Sequence, residues 1–156
     1  MTRIPYRNLP QLLLRAREEL LCHFRPIITH FGLTEQQWRV LRAVHEMEQL
    51  EPREICRIFQ ILSPSLTGVL TRMEEVGLIT RARVKEDHRR VMVRLTPKAQ
   101  QLVAELQPII VEQYKLIEQA FGPSLIRDLY EIMDRVVGVE REPVPHVKLP
   151  KRRKSQ

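Results

Sequence analysis

The sequence predicts a mainly helical fold with one small β-hairpin. Apolar residues recur every three or four positions through most of the chain, as expected for amphipathic helices. One short stretch, residues 91–95, instead has the alternation of a strand, with Val91, Val93 and Leu95 pointing one way and Met92 and Arg94 the other. Glycine is scarce, with five in 156 residues, and this length allows one domain to bury a core without disulfide or metal support.

The first predicted helix covers residues 9–31. Its apolar stripe consists of Leu9, Leu13, Ala16, Leu20, Phe24, Ile27 and Phe31, widened by Leu12 and Ile28. Pro26 lies inside this pattern and should kink the helix or end it near Arg25. A second helix follows Thr34, which with Gln37 forms a capping box, and it runs to about Glu46.

Two further helix starts are marked by proline. Pro52 opens a short third helix, "PREICRIF", and Ser63-Pro64 provides an N-cap and a first helical position for a fourth, which ends at Gly77. The fourth helix has an apolar side formed by Leu66, Val69, Leu70, Met73 and Val76. Its other side is small and polar, with Ser65, Gly68, Thr71, Arg72 and Glu75, and with Thr67 at the edge.

The hairpin and two long helices complete the predicted elements. Strands at about Ile79–Val84 and Val91–Leu95 are joined by "KEDHRR". Thr96-Pro97 starts a helix that runs to about Ala120 with a kink at Pro108, and a last helix covers Ser124 to about Val137. Residues 141–156 are proline-rich and basic, which predicts a flexible tail.

Charge indicates a polyanionic partner. The formal net charge is +7, and residues 63–96 contribute +3 and residues 140–156 contribute +4, so the rest of the chain is neutral. No apolar run is long enough for a membrane span and no signal peptide is present, so we expect a cytoplasmic protein. Cys22 and Cys56 are predicted to be buried free thiols, and no catalytic residue, metal or cofactor is predicted.

Helix, short connection, helix and hairpin together predict a winged helix-turn-helix, in which the second helix of the unit enters the major groove of DNA. The candidate DNA-contacting residues of that helix are Ser63, Pro64, Ser65, Thr67, Gly68, Thr71 and Arg72. At the hairpin, or wing, Arg89 is the candidate for the minor groove and Asp87 would orient it. Lys85, Arg89 and Arg90 would repel one another at this exposed tip without an anionic partner.

The same residues resemble the MarR family of bacterial transcription regulators. The similar stretch is "SPSLTGVLTRMEEVGLITRARVKEDHRRVMVRLT", with Asp87-x-Arg89 in the wing and Leu95-Thr96 after it. The resemblance extends over residues 9–138, and "LTEQQWR" in the second helix is most similar to repressors of homoprotocatechuate (aromatic acid) degradation operons.

This resemblance implies a homodimer on a pseudo-palindromic DNA operator. It also implies that Lys85, Arg90 and Arg81 make salt-sensitive contacts with DNA phosphates. Residues 1–140 would form one winged-helix domain, with dimerisation helices at about 9–31 and 97–138. Such regulators are released from DNA by a phenolic or aromatic acid. The candidate effector-binding residues are Arg15, His23, Trp38 and Arg39, because arginine can bind a carboxylate and tryptophan can pack on a ring.

Three alternatives are less favoured by the sequence. A thiol-based redox sensor of the same fold would use Cys22, which comes later in its helix than in known sensors. An enzyme would need a motif that is missing, since the five histidines have no metal-binding spacing and no phosphate loop or nucleophile elbow is found. A protein-binding winged helix would need a more apolar surface at residues 65–72.

Overall fold

Seven helices and three short strands occur in the computed structural model, which describes residues 4–60, 63–85, 87, 89–138 and 143–149. In chain order the elements are α1 (Leu9–Leu21), α2 (Arg25–His30), α3 (Glu35–Met47), β1 (Gln49–Leu50), α4 (Pro52–Phe59), α5 (Ser63–Glu75), β2 (Ile79–Arg83), β3 (Val91–Leu95), α6 (Pro97–Phe121) and α7 (Pro123–Val137). Two compact units are distinguished, Met1–Ile117 and Glu118–Gln156, and the cores and sites described below belong to the first.

Residues 9–31, predicted as one helix with a kink or an end near Arg25, form two helices. The first of them ends earlier than expected. α1 ends at Leu21 and α2 begins at Arg25, with Pro26 in its first turn. A proline ring clashes with the carbonyl four residues earlier, here that of Cys22, but suits the start of a helix, where its missing N–H is not needed. α1 has no buried residue, and Leu9, Leu12, Leu13 and Leu14 are all exposed.

The Thr34 capping box at the start of α3 is confirmed: Gln37 N donates to Thr34 Oγ1 at 3.2 Å, and Thr34 N donates to Gln37 Oε1 at 2.9 Å.

The helix-turn-helix, formed by α4 and α5, is built on a shared apolar core. The largest fully buried side chains are Leu41, Ile55, Leu66, Leu70, Met73, Ile79, Leu106, Val40, Val44 and Val93. They come from α3, α4, α5, α6 and the sheet, so one core positions α5 and the wing together.

The wing is part of a three-stranded antiparallel sheet with the order β1-β3-β2. β2 and β3 pair from Ile79↔Leu95 to Arg83↔Val91, which confirms the predicted hairpin to within a residue. β1 was not predicted. It adds Gln49↔Arg94 and Leu50↔Val93 on the other side of β3, and two residues are too few to give a strand pattern in the sequence.

α6 begins as the Thr96-Pro97 signal predicts. Thr96 Oγ1 accepts from Ala99 N at 3.2 Å and donates to the carbonyl oxygen of Gly77 at 2.7 Å, which ties the start of α6 to the turn after α5. The helix continues through Pro108 to Phe121. Among the described residues, no helix is both long and apolar enough to cross a bilayer.

Candidate functional site

The two sides of α5 are divided as the sequence predicts. Leu66, Leu70 and Met73 are buried, whereas Ser65, Thr67, Gly68 and Arg72 are exposed and Thr71 is half-buried. Val76 is the exception: it was predicted on the apolar side, but it lies just beyond the last turn and is 51% exposed. Ser63 and Pro64 lie in the first turn of α5, and their side chains are outside the described set.

Gly68 is in the middle of this exposed face. A Cβ atom built on it would meet no atom within 4 Å, and its φ is not in the left-handed region. Glycine in a helix interior costs about 0.5–1 kcal/mol relative to alanine. Since nothing within the described protein requires glycine here, its absent side chain leaves α5 open to a close approach from outside.

Arg89 extends from the wing. Its side chain is 94% exposed, and its backbone N and Nε lie 3.1 and 3.4 Å from Asp87 Oδ1, so the predicted Asp87–Arg89 pairing is present. Lys85, on the same hairpin, is exposed. The hairpin therefore presents a cation whose direction is set by a neighbouring carboxylate.

Two other predicted phosphate contacts are engaged by carboxylates that the sequence reasoning missed. Arg81 donates to Glu74 Oε2 from Nε and Nη2, at 2.9 and 2.5 Å, and the arginine holds the pKa of Glu74 below its ordinary value. Arg90 Nε donates to Glu51 Oε1 at 2.6 Å, which lowers the pKa of Glu51 and raises that of Arg90. Glu51 lies 39 residues before Arg90, so no local pattern in the sequence indicates this pair.

A cavity of about 440 Å³ lies between α1, α2, α3, α4 and α6. Of the predicted effector-binding residues, Trp38 and Arg39 line it, whereas Arg15 and His23 are exposed and are not part of its lining. Its lining also includes Arg17, Arg42 and Tyr114, which the sequence reasoning did not single out.

The arginines of the cavity differ in their partners. Arg17 pairs with Glu35, and Arg42 donates to Glu46 Oε1 at 2.8 Å and to Tyr114 Oη at 3.2 Å. Within the described part of the chain, Arg39 makes no such ion pair. Its Nη2 donates to the carbonyl oxygen of Phe59 at 2.6 Å, and its guanidinium lies over the Phe59 ring at 5.0 Å.

The surroundings of Arg39 favour an anion. Burial, followed by the charge of Arg17, lowers the pKa of Arg39, the charge of Glu35 partly opposes this shift, and the arginine remains protonated. A partly desolvated guanidinium bound to a neutral carbonyl can gain a stronger, charge-assisted hydrogen bond from a carboxylate. Trp38 and the Phe24–Tyr114 ring pair, with centroids 4.7 Å apart, supply aromatic surface beside it.

The cysteines lie outside this chemistry. Cys22 is exposed rather than buried, since α1 ends at Leu21 and leaves it at the C-cap, where its Sγ donates to the carbonyl oxygen of Glu19 at 3.3 Å. Cys56 is half-buried in α4. In the part of the chain that the structure covers, no three His, Cys, Asp or Glu side chains are grouped as metal ligands.

The helix-turn-helix, the three-stranded sheet and the wing define a winged-helix DNA-binding protein. The MarR family model matches residues 31–90. The chain is 36% identical to the HTH-type transcriptional regulator FarR of Neisseria gonorrhoeae, over 82% of this chain and 88% of that protein. It is 37% identical to the homoprotocatechuate degradative operon repressor of Escherichia coli, over 81% and 86%.

A solved structure of NadR in complex with 4-hydroxyphenylacetate matches with a TM-score of 0.77 and 34% identity, over 90% of this chain and 99% of that one. The chain belongs to the MarR family. It is a transcription regulator that binds DNA through a winged helix, as the resemblance in its sequence implies.

Proposed function

We propose that this protein represses an operon for the breakdown of an aromatic compound and leaves its operator when a phenolic or aromatic acid binds. The observation that carries the proposal is the cavity at Arg39, where a guanidinium without a carboxylate partner among the described residues lies beside Trp38. The names of the relatives support the class of compound, since one is a homoprotocatechuate operon repressor and another was solved with 4-hydroxyphenylacetate. We assign it no catalytic role.

On DNA, α5 would lie in the major groove with its small exposed face toward the bases, and Arg89 would enter the minor groove beside it. Lys85 would contact phosphates, and Arg90 and Arg81 would do so while their charges are partly balanced by Glu51 and Glu74. The protein would act in the bacterial cytoplasm, on the nucleoid when it is bound to DNA.

The operator-bound form would be a homodimer. Residues 1–140 would act as one winged-helix domain, with dimerisation helices at about 9–31 and 97–138 and a basic tail at 141–156. The exposed leucines of α1 support this, because four of them lie within six residues and apolar side chains so placed are commonly covered by a partner. Two-fold symmetry would place the two copies of α5 about 34 Å apart, on a pseudo-palindromic operator.

In the cavity, the effector carboxylate would bind Arg39 and its ring would pack on Trp38. Arg42 and Tyr114, already hydrogen-bonded at 3.2 Å, would offer a donor and an acceptor to a phenolic hydroxyl. Arg15 and His23 lie outside the lining of this cavity, and their contact with the effector stays a prediction.

Arg39 also suggests how release would occur. Its partner Phe59 is the last residue of α4, directly before the connection to α5. A carboxylate on Arg39 would compete with the Phe59 carbonyl oxygen and so free the end of α4. An effector that binds more tightly when the Arg39–Phe59 hydrogen bond is broken would shift the protein toward a conformation in which α5 has a different position.

A redox sensor is the second candidate, and the observation that favours it is the exposure of the Cys22 thiol. Treatment with an organic hydroperoxide, followed by a DNA-binding measurement, tests it. Unchanged affinity would exclude this candidate.

A thermal-shift screen of hydroxylated phenylacetic and cinnamic acids tests the cavity. A ligand present at 100 times its Kd stabilises the folded state by about 2.7 kcal/mol. We expect at least one acid to raise the melting temperature, and its uncharged amide to raise it clearly less. In Arg39→Gln the acid and its amide should give the same shift. Arg57→Gln, which removes an exposed arginine of α4, is the control. No stabilisation by any acid of the panel would contradict the proposal.

A further inference from the structure

Glu51 is a buried carboxylate whose two arginine partners, Arg53 and Arg90, are exposed to solvent. Only 6% of its surface is exposed, and among the described residues it is the one charged residue that is buried. It follows β1 directly and is the N-cap residue of α4. A buried carboxylate is costly unless it is paired and hydrogen-bonded, so the contacts of Glu51 explain why it is tolerated here.

Those contacts join two parts of the winged helix, α4 and the wing. Glu51 Oε1 accepts from Arg90 Nε at 2.6 Å, and Glu51 Oε2 pairs with Arg53 Nε at 2.7 Å. The backbone N–H of Glu51 donates to Glu54 Oε2 at 2.7 Å, which fixes Glu51 at the start of α4. One side chain therefore connects the first helix of the helix-turn-helix to the wing.

Within the wing, Arg90 is tied to the residues that carry Arg89. The Arg90 N–H donates to the Asp87 carbonyl oxygen at 2.9 Å, and the Arg90 carbonyl oxygen accepts from Val84 N at 3.0 Å. The carboxylate of Asp87 in turn holds Arg89. A continuous set of hydrogen bonds thus runs from Glu51 through Arg90 and Asp87 to Arg89.

Among the described residues, backbone pairing between β1 and the wing stops short of Arg90. β1 pairs with β3 at Gln49↔Arg94 and Leu50↔Val93, so this ladder ends at Val93. Arg90 lies three residues before Val93 in the chain, nearer the tip of the wing. Its ion pair with Glu51 therefore joins the wing to α4 beyond the last backbone pair of β1 and β3.

From this geometry we propose that Glu51 is a positioning residue for DNA binding: it holds the wing relative to α4 and α5 so that Arg89 and the face of α5 reach DNA together. The inference rests on the proposed role of Arg89 in the minor groove. Glu51 itself does not contact DNA and acts through Arg90.

Loss of the Glu51 carboxylate should change DNA affinity in one direction through charge and in the opposite direction through the position of the wing. DNA is a polyanion, so removing a carboxylate from the lobe that binds it should strengthen binding if charge alone matters. If Glu51 positions the wing, its removal weakens binding although the protein becomes more positive. Direct repulsion and positioning therefore predict opposite changes in affinity.

The test compares Glu51→Gln with Glu48→Gln, a control that removes an exposed acid three residues earlier in the chain, outside α5 and the wing. The probe is a duplex that the wild-type protein selects from a random-sequence pool. We expect Glu51→Gln to weaken binding by about tenfold, and by less than about twofold in an Arg89→Ala background, since effects within one network are not additive. Glu48→Gln should bind as well as the wild type or better.

Hydrogen exchange supplies a readout that does not depend on DNA. In Glu51→Gln the amide of Arg90 should exchange faster, while amides in the middle of α3 and α6 keep their wild-type rates; faster exchange throughout would mean a loss of global stability and would overturn the proposal. Equal or tighter DNA binding by Glu51→Gln, or the same loss with and without Arg89, would also overturn it. Failure of the wild type to select any sequence would instead contradict the proposed function, and the exchange result would still decide whether Glu51 holds the wing.

Discussion

At the scale of single residues, charge on the wing is set by pairing as well as by composition. Arg89 is almost fully exposed, while Arg90 and Arg81 each share a carboxylate with another element. The sequence allowed Asp87 to be matched with Arg89, two positions away, because such short-range pairs are visible in a pattern. The partners of Arg90 and Arg81 depend on how the chain folds, and the sequence alone did not indicate them.

Arg89→Ala should weaken binding to the selected duplex by more than about tenfold, because a groove contact by arginine contributes on the order of 1–3 kcal/mol. The oligomeric state measured by sedimentation should not change. Lys115→Ala, which removes an exposed cation from α6, is the control. Wild-type affinity in Arg89→Ala would mean that the wing is not inserted.

The Glu74–Arg81 pair predicts a pH dependence of stability. Arg81 lowers the pKa of Glu74 in the folded state, so the pair stabilises the protein above the unfolded pKa of about 4.3. That contribution is lost as the pH falls through the lower folded value. Urea unfolding from about pH 5 to pH 3 should therefore show a larger loss of stability for the wild type than for Glu74→Gln, and equal losses would contradict the pairing.

At the scale of secondary-structure elements, the sequence indicated most boundaries because the signals were local. The Thr34 and Thr96 caps and the alternation of Val91–Leu95 each occupy a few adjacent residues. Of the two errors, one has a non-local cause and one a local cause. β1 exists only because it pairs with β3. α1 ends at Leu21 because Pro26 clashes with the carbonyl group four residues earlier.

Gly68→Ala should separate stability from DNA binding. The added methyl group meets no atom within 4 Å, so the free energy of unfolding should rise by about 0.5–1 kcal/mol, as for glycine replaced in an exposed helix interior. The same methyl group should weaken binding to the selected duplex, since we propose that α5 approaches DNA through this face. Gln107→Ala, on an exposed position of α6, is a control that should leave DNA binding unchanged. A stabilised variant with wild-type affinity would show that Gly68 does not face DNA.

At the scale of the whole molecule, the proposed DNA-binding surface and the proposed effector site lie at different places in the first unit. The residues proposed to face DNA lie on α5 and the wing, and the cavity lies between α1, α2, α3, α4 and α6. The sequence predicted Trp38 and Arg39 in that cavity through resemblance to a family. It did not indicate Arg42 and Tyr114, since their hydrogen bond joins residues 72 positions apart.

Deleting residues 143–156 removes five Lys and Arg residues and no acids. The variant should bind non-specific duplexes more weakly and with a smaller dependence on salt, since each phosphate contact contributes about 0.9 to the slope of log K against log salt. Its preference for the selected sequence should be kept. A salt titration checks this, and an unchanged slope would show that the tail does not contact DNA.

The most direct test of the central claim is a titration of hydroxylated phenylacetic and cinnamic acids into the complex of the protein with its selected duplex, followed by fluorescence anisotropy. At least one acid should release the duplex at a concentration that stabilises the free protein, and the matching uncharged amide should not. Arg39→Gln should keep the duplex bound in the presence of that acid. A complex that stays intact with every acid of the panel, or an Arg39→Gln complex that is released as readily as the wild type, would contradict the account.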